Sequence, residues 1–133
     1  MIVADTNLIA YLLIPSNHTA DAESILRKDS AWSAPLLWRS EFRNVLASYL
    51  RSGQMRLEDA VVLMTEAEGL LEGGEYEVPS APVLTLSEQS GCSAYDCEFV
   101  HLAQELGVPL VTSDRTVLRA FPAFAVAMDV FIR

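Results

Sequence analysis

Between Ser93 and Asp114 the chain reads SAYDCEFVHLAQELGVPLVTSD, a helix pattern that runs through one glycine straight into a β-branched strand. Tyr95, Phe99, Leu102, Ala103 and Leu106 recur at the spacing of one helix face, and Gly107 supplies the C′ residue that ends such a helix. VPLVT then reads as a buried strand. Similar alternation of strand and helix recurs from end to end. Parallel strands need crossover connections, and helices supply them, so the pattern predicts an α/β fold. The expected architecture is a three-layer α/β/α sandwich with a mainly parallel central sheet, in one domain spanning 1–133. Right-handed crossovers fix most of its topology.

The other elements follow from the same signals. Ile2, Val3 and Ala4 form a strand. A helix over 7–13 is ended by Pro15, and another covers 19–28. Ala31 to Pro35 is a short strand or an extended entry, closed by proline. In WRSEFRNVLASYLRSG, Phe42, Val45, Leu46, Tyr49 and Leu50 form one helix face, with Ser40 as N-cap and Gly53 as the stop. LEDAVVLMTEAEGLLEGG is a further helix, whose stripe of Ala60, Leu63, Met64, Ala67, Leu70 and Leu71 belongs to the core or a dimer contact. EYEVP is a short strand, 82–90 a small helix, TSDRTVLRAF a turn into a short helix, and AVAMDVFI a final strand.

Composition narrows the function. The longest apolar run, LIAYLLI, is too short to span a bilayer. No basic, cleavable leader is visible at the N-terminus, and cytoplasmic localisation is expected. Cys92 and Cys97 are the only cysteines; they form neither a disulfide framework nor a zinc pattern, and read as reduced thiols. Acidic residues number 18 against 9 basic, and Lys28 is the only lysine. A broad basic face for nucleic acid is therefore absent. Phosphate would have to be met locally, through a few arginines or bound cations.

Four acids fall at the ends of elements. Asp5 follows the first strand, Glu41 and Asp96 open helices, and Asp114 follows VPLVT. In an open parallel sheet these places face one edge, so the four carboxylates can converge on one crevice. Such a cluster suits Mg²⁺, a hard cation that takes oxygen ligands. Two ions can activate a water and stabilise a leaving oxygen. Each acid also has a purely structural reading. Asp5 and Asp114 are good helix caps, Glu41 lies between Arg39 and Arg43, and Asp96 completes an S-A-Y-D capping box. Spacing does not choose between the two.

A strand ending D-T-N, a helix opening W-R-S-E-F-R-N, a helix opening S-A-Y-D and a strand ending V-T-S-D, in that order, resemble the PIN-domain nuclease family. The likeness is greatest to the toxins of VapBC-type toxin–antitoxin systems. The resemblance implies that Asp5, Glu41, Asp96 and Asp114 are catalytic metal ligands for Mg²⁺ or Mn²⁺, and that the substrate is RNA. It further implies a homodimer silenced by a cognate antitoxin. Ser113, and Thr6 or Asn7, match positions that order the ligands or a water. Many members carry another acid or polar group where this chain has Thr116, which leaves a second metal site open. Glu98 lies about 200° round its helix from Asp96 and is expected to be a surface acid. Arg39, Arg43, Arg115 and Arg119 flank the acids as candidate contacts to RNA phosphate or to antitoxin acids; solvated surface arginines are the alternative.

Competing α/β classes fit less well. Haloacid-dehalogenase-like phosphatases need an acid where Asn7 stands, and receiver domains need a late lysine. Neither His18, in a loop, nor His101, far down a helix, is placed for metal-free acid–base cleavage. An RNA-maturation nuclease and a non-catalytic PIN-like scaffold remain as alternatives within the family.

Overall fold

The computed structural model describes residues 1–133. Five short strands are joined by helices: β1 (Ile2–Ala4), β2 (Trp32–Pro35), β3 (Glu75–Tyr76), β4 (Leu110–Thr112) and β5 (Ala125–Ala127). They form one sheet in the order β3-β2-β1-β4-β5, and every pairing is parallel. The expected α/β/α sandwich is what the chain forms, with a sheet that is wholly parallel.

The strands are buried because both faces of the sheet are covered. Ile2, Val3, Ala4, Leu110 and Val111 are all sealed from solvent, as the continuous apolar runs of a doubly covered sheet require. Helices α1 (Thr6–Leu13), α2 (Thr19–Lys28), α3 (Leu37–Arg51) and α4 (Leu57–Leu70) carry the chain from β1 through β2 to β3. Helices α5 (Ser80–Ser90) and α6 (Ala94–Leu106) bring it back across to β4, and α7 (Arg115–Ala120) leads on to β5. With right-handed crossovers, reversing direction puts the two helix sets on opposite faces. Contacts agree: α1 packs on α2, α3 and α4, while α6 packs on α5, β1 and β2. The reversal occurs between β1 and β4, and a crevice opens beyond the strand ends at that point.

Several boundaries differ from the sequence reading. α1 starts one residue early, at Thr6, and β3 keeps only Glu75 and Tyr76 of EYEVP. Three further differences have a visible cause. α3 begins at Leu37, without a side-chain cap, rather than after Ser40. Trp38 explains the early start: it is fully buried, and its indole N–H donates to Glu75 Oε1 at 2.7 Å. Glu41 therefore lies in the second turn, away from the N-terminal dipole. The run after Ala127 is not strand but helix α8 (Met128–Ile132), which packs on α2. A short apolar run fits either period, and tertiary contacts decide it. α5 starts at Ser80, so Pro82 lies in its first turn, where a missing N–H costs nothing.

The helix faces are otherwise largely as read. Phe99, Leu102 and Ala103 of α6 are buried, as are Cys97 and Val100. Tyr95 is the exception, at 63% exposed. On α4, Ala60 and Ala67 are buried, as is Leu71 just past its end, and the rest of the stripe is partly so. Both cysteines are free and buried. No helix is long and apolar enough to cross a membrane.

Candidate active site

Asp5 immediately follows β1 and Asp114 lies two residues beyond β4, so the two stand on adjacent strands at the topological reversal. α3 contributes Glu41 and the first turn of α6 contributes Asp96. Together with Thr6, Asn7, Asn44 and Val45 these residues line one cleft of about 260 Å³. All four sequence-predicted acids are thus brought to one place. Only Val45 among the lining residues is apolar, so the cleft is a polar hollow rather than an organic-ligand pocket.

Each carboxylate is held differently. Asp5 is the N-cap of α1 yet makes no side-chain cap bond. Its Oδ2 instead accepts the Thr112 hydroxyl at 2.6 Å. Thr112 also accepts the Asp114 backbone N–H at 3.0 Å, linking the ends of the two strands. Glu41 Oε1 accepts the Thr6 hydroxyl at 2.7 Å, and Thr6 is itself buried. Asp114 does cap: its Oδ1 accepts the N–H groups of Thr116 at 2.8 Å and Val117 at 3.2 Å. In S-A-Y-D, Ser93 Oγ accepts the Asp96 N–H at 3.1 Å, half of a capping box, and the Asp96 carboxylate borders the cleft.

The acids oppose one another. Burial raises the pKa of Asp5, with the Thr112 hydrogen bond working the other way and Asp96 and Asp114 adding repulsion. Glu41 is raised by burial, against the Thr6 hydrogen bond, with repulsion from Asp5, Asp96 and Glu98. Asp96 is raised by burial and then by Asp114. Three of four site carboxylates are therefore harder to ionise than in water. A cation among them would reverse that.

The donors are all oxygen, with no histidine or cysteine, which suits a hard divalent ion. No three Asp, Glu, His or Cys side chains are gathered tightly enough to hold an ion among themselves. Mg²⁺ keeps several of its waters and takes only one or two protein carboxylates, so the donor set fits without threefold convergence.

Several predicted supporting residues lie elsewhere. The Ser113 hydroxyl bonds to no acid; its Oγ is 3.4 Å from the Tyr11 hydroxyl. Thr112 occupies the role expected of Ser113. Thr6 remains at the cleft and serves two acids: its hydroxyl supports Glu41, and its backbone N–H supports its neighbour Asp5. Arg39 is turned away from the cleft, with Nε 2.6 Å from Glu75 Oε1, Nη2 2.9 Å from Oε2 and Nη1 2.6 Å from Glu68. Arg43 borders a separate groove with Leu46, Leu50, Ala60, Val61 and Met64. Arg115 and Arg119 are exposed on α7. Glu98 is not a purely surface acid, since it is half-buried beside Val78, Val83 and Leu84 and its charge reaches Glu41. Asn44, one turn after Glu41, went unpredicted; its i, i+3 spacing from Glu41 was the available signal.

A family model of the PIN domain matches residues 2–122. Ribonuclease VapC3 of Pyrobaculum aerophilum is 27% identical over 125 residues, covering 92% of this chain and 95% of that protein. The crystal structure of PAE2754 from Pyrobaculum aerophilum superposes with a TM-score of 0.79 at 20% identity, over 98% of this chain and 85% of that one. FitAcB from Neisseria gonorrhoeae superposes with a TM-score of 0.72 at 17% identity, over 96% and 98%. Those two likenesses show the fold, and the family match takes in every acid of the cleft: the chain belongs to the PIN domain family.

Proposed function

We propose that this chain is a divalent-metal-dependent endoribonuclease, the toxin of a toxin–antitoxin pair, with residues 1–133 as its single nuclease domain. In this reading it acts in the cytoplasm as a homodimer and is silenced by a cognate antitoxin. The observation that carries the proposal is the meeting of Asp5, Glu41, Asp96 and Asp114 in one polar cleft at the sheet's reversal point. Membership of the PIN family and the likeness to a protein named Ribonuclease VapC3 support it.

Asp5, Asp96 and Asp114 would hold Mg²⁺ or Mn²⁺, one or two ions per site, with no more than two of them bound directly to any one ion and the others through its waters. Glu41 would complete the shell or orient the attacking water. A bound divalent ion supplies charge that offsets the carboxylates, attracts the phosphodiester and lowers the pKa of a water for in-line attack. Thr112 keeps Asp5 in one orientation and Thr6 does so for Glu41, limiting the ordering needed when substrate arrives. Arg115, exposed beside Asp114, and Arg119, one turn further along α7, are the remaining arginines placed to meet a phosphate or an acidic group of the antitoxin.

Purified protein should cleave structured RNA with Mg²⁺ or Mn²⁺, lose activity in EDTA, and be inactive as Asp5→Asn. Mn²⁺ at a hundredfold excess over its Kd should stabilise the wild type by about 2.7 kcal/mol, and Asp5→Asn far less. Cleavage that survives both EDTA and Asp5→Asn sinks the proposal. Growth arrest on expression, rescued by a co-purifying partner, separates a toxin from an RNA-maturation enzyme.

A further inference from the structure

We propose that Tyr11 and His18 form a stacking platform for one base of the RNA strand, beside the acidic cleft. The inference rests on the nuclease reading and names a contact that the cleft itself does not supply.

Two connections place the pair next to the site. Asn7 lines the cleft, and Tyr11 lies one turn further along the same face of α1. The Tyr11 hydroxyl is also 3.4 Å from Ser113 Oγ, in the residue just before Asp114. The His18 ring lies against Tyr11, with centroids 4.4 Å apart and planes tilted by 35°. His18 is exposed and Tyr11 half-buried.

The connection between α1 and α2 holds this pair in place. Thr19 Oγ1 donates to the Tyr11 carbonyl at 2.7 Å and accepts the Ser16 N–H at 2.9 Å. Ser16 Oγ in turn accepts the His18 N–H at 3.1 Å. The aromatic pair is therefore ordered before any ligand arrives, which reduces the entropy lost on binding. Closing a helix connection would explain Tyr11, whose ring packs against the core. It gives no reason for an exposed imidazole laid on the tyrosine.

Charge explains why RNA would need such a contact. At a net charge of −9 the chain has no broad basic face to hold the strand. Beyond the cation-binding cleft and the arginines of α7, affinity draws on contacts that do not depend on positive charge. Unstacked RNA bases on tyrosine and histidine rings provide one, and they do so for any sequence.

The test uses the full chain and single-stranded RNAs that each carry one abasic residue at a successive position, with cleavage followed in Mn²⁺. His18→Ala should raise KM for the intact RNA by about 5- to 10-fold, the lower range for stacking on one side chain, with kcat little changed. The loss should disappear with the RNA whose abasic residue falls at the platform, and should not vary with ionic strength. A 2-aminopurine at that position should be quenched by wild type and less by His18→Ala. Tyr11→Leu, which keeps apolar bulk, should repeat the effect at an unchanged Tm; if it unfolds, the exposed His18→Ala decides alone. An unchanged KM, or an equal loss on every abasic RNA, overturns the platform and leaves the nuclease reading intact. Wild type that neither binds nor cleaves RNA overturns both.

Discussion

Thr112 Oγ1 donates to Asp5 Oδ2 across 2.6 Å, joining the end of β4 to the end of β1 beneath the acidic cleft. The bond restrains the most deeply placed acid and also offers an acceptor to the Asp114 N–H. It couples two carboxylates that lie more than a hundred residues apart in the chain.

Thr112→Val keeps the shape and removes the hydroxyl. Two part-buried polar groups, the Asp5 carboxylate and the Asp114 N–H, then lose a partner, so unfolding in urea should show a loss of about 1–2 kcal/mol. RNA cleavage should fall by about 10- to 100-fold, as it does when residues supporting metal ligands are replaced. Ser113→Ala, on an exposed side chain, should stay within about 0.5 kcal/mol of wild type. A Ser113 variant less stable than Thr112→Val would contradict the assignment.

The Arg39–Glu75 pair has a pH signature. Its hydrogen bond from Arg39 holds Glu75 below the ordinary carboxylate range, with help from Trp38. A depressed folded-state pKa contributes stability that is present above the ordinary value of about 4.3 and lost as pH falls through the folded value. Glu75→Gln should therefore be less stable than wild type at neutral pH, and the gap should close as the pH drops below that range. Urea midpoints measured across pH would show this. A gap independent of pH means that the pair contributes packing alone.

Gly74 sits where β3 joins the sheet, and its carbonyl accepts the Ala34 N–H at 2.9 Å. A Cβ there would stand 2.3 Å from the Trp32 carbonyl oxygen and 3.2 Å from Ser33 Cα. Backbone cannot swing aside as a side chain can, so Gly74→Ala should cost about 1–3 kcal/mol. Gly69, inside α4, has open space around its missing Cβ. Gly69→Ala should add about 0.5–1 kcal/mol through helix propensity. Equal effects from the two substitutions would refute the steric account.

What the chain encodes locally proved readable. Short apolar and β-branched runs marked β1 and β4, helical spacing marked α3, α4 and α6, and Gly107 marked the end of α6 at its left-handed φ of 66°. Once the sheet is known to be parallel, those boundaries alone send Asp5, Glu41, Asp96 and Asp114 toward one edge. The alternation of elements and the sheet edge that the four acids share were thus determined by sequence, because helix period, strand run and stop residue act over a few neighbours.

The partners of those acids were decided only by the tertiary structure. Ala4 pairs with Val111, so the next step of the register sets Thr112, and not Ser113, beside Asp5. Burial of Trp38 moved the start of α3 back, putting Glu41 under the Thr6 hydroxyl and drawing Arg39 away to Glu75 and Glu68. α8 became helix where it packs against α2. Strand register and hydrogen bonds between distant elements depend on how whole elements pack, and no local pattern of residues records that.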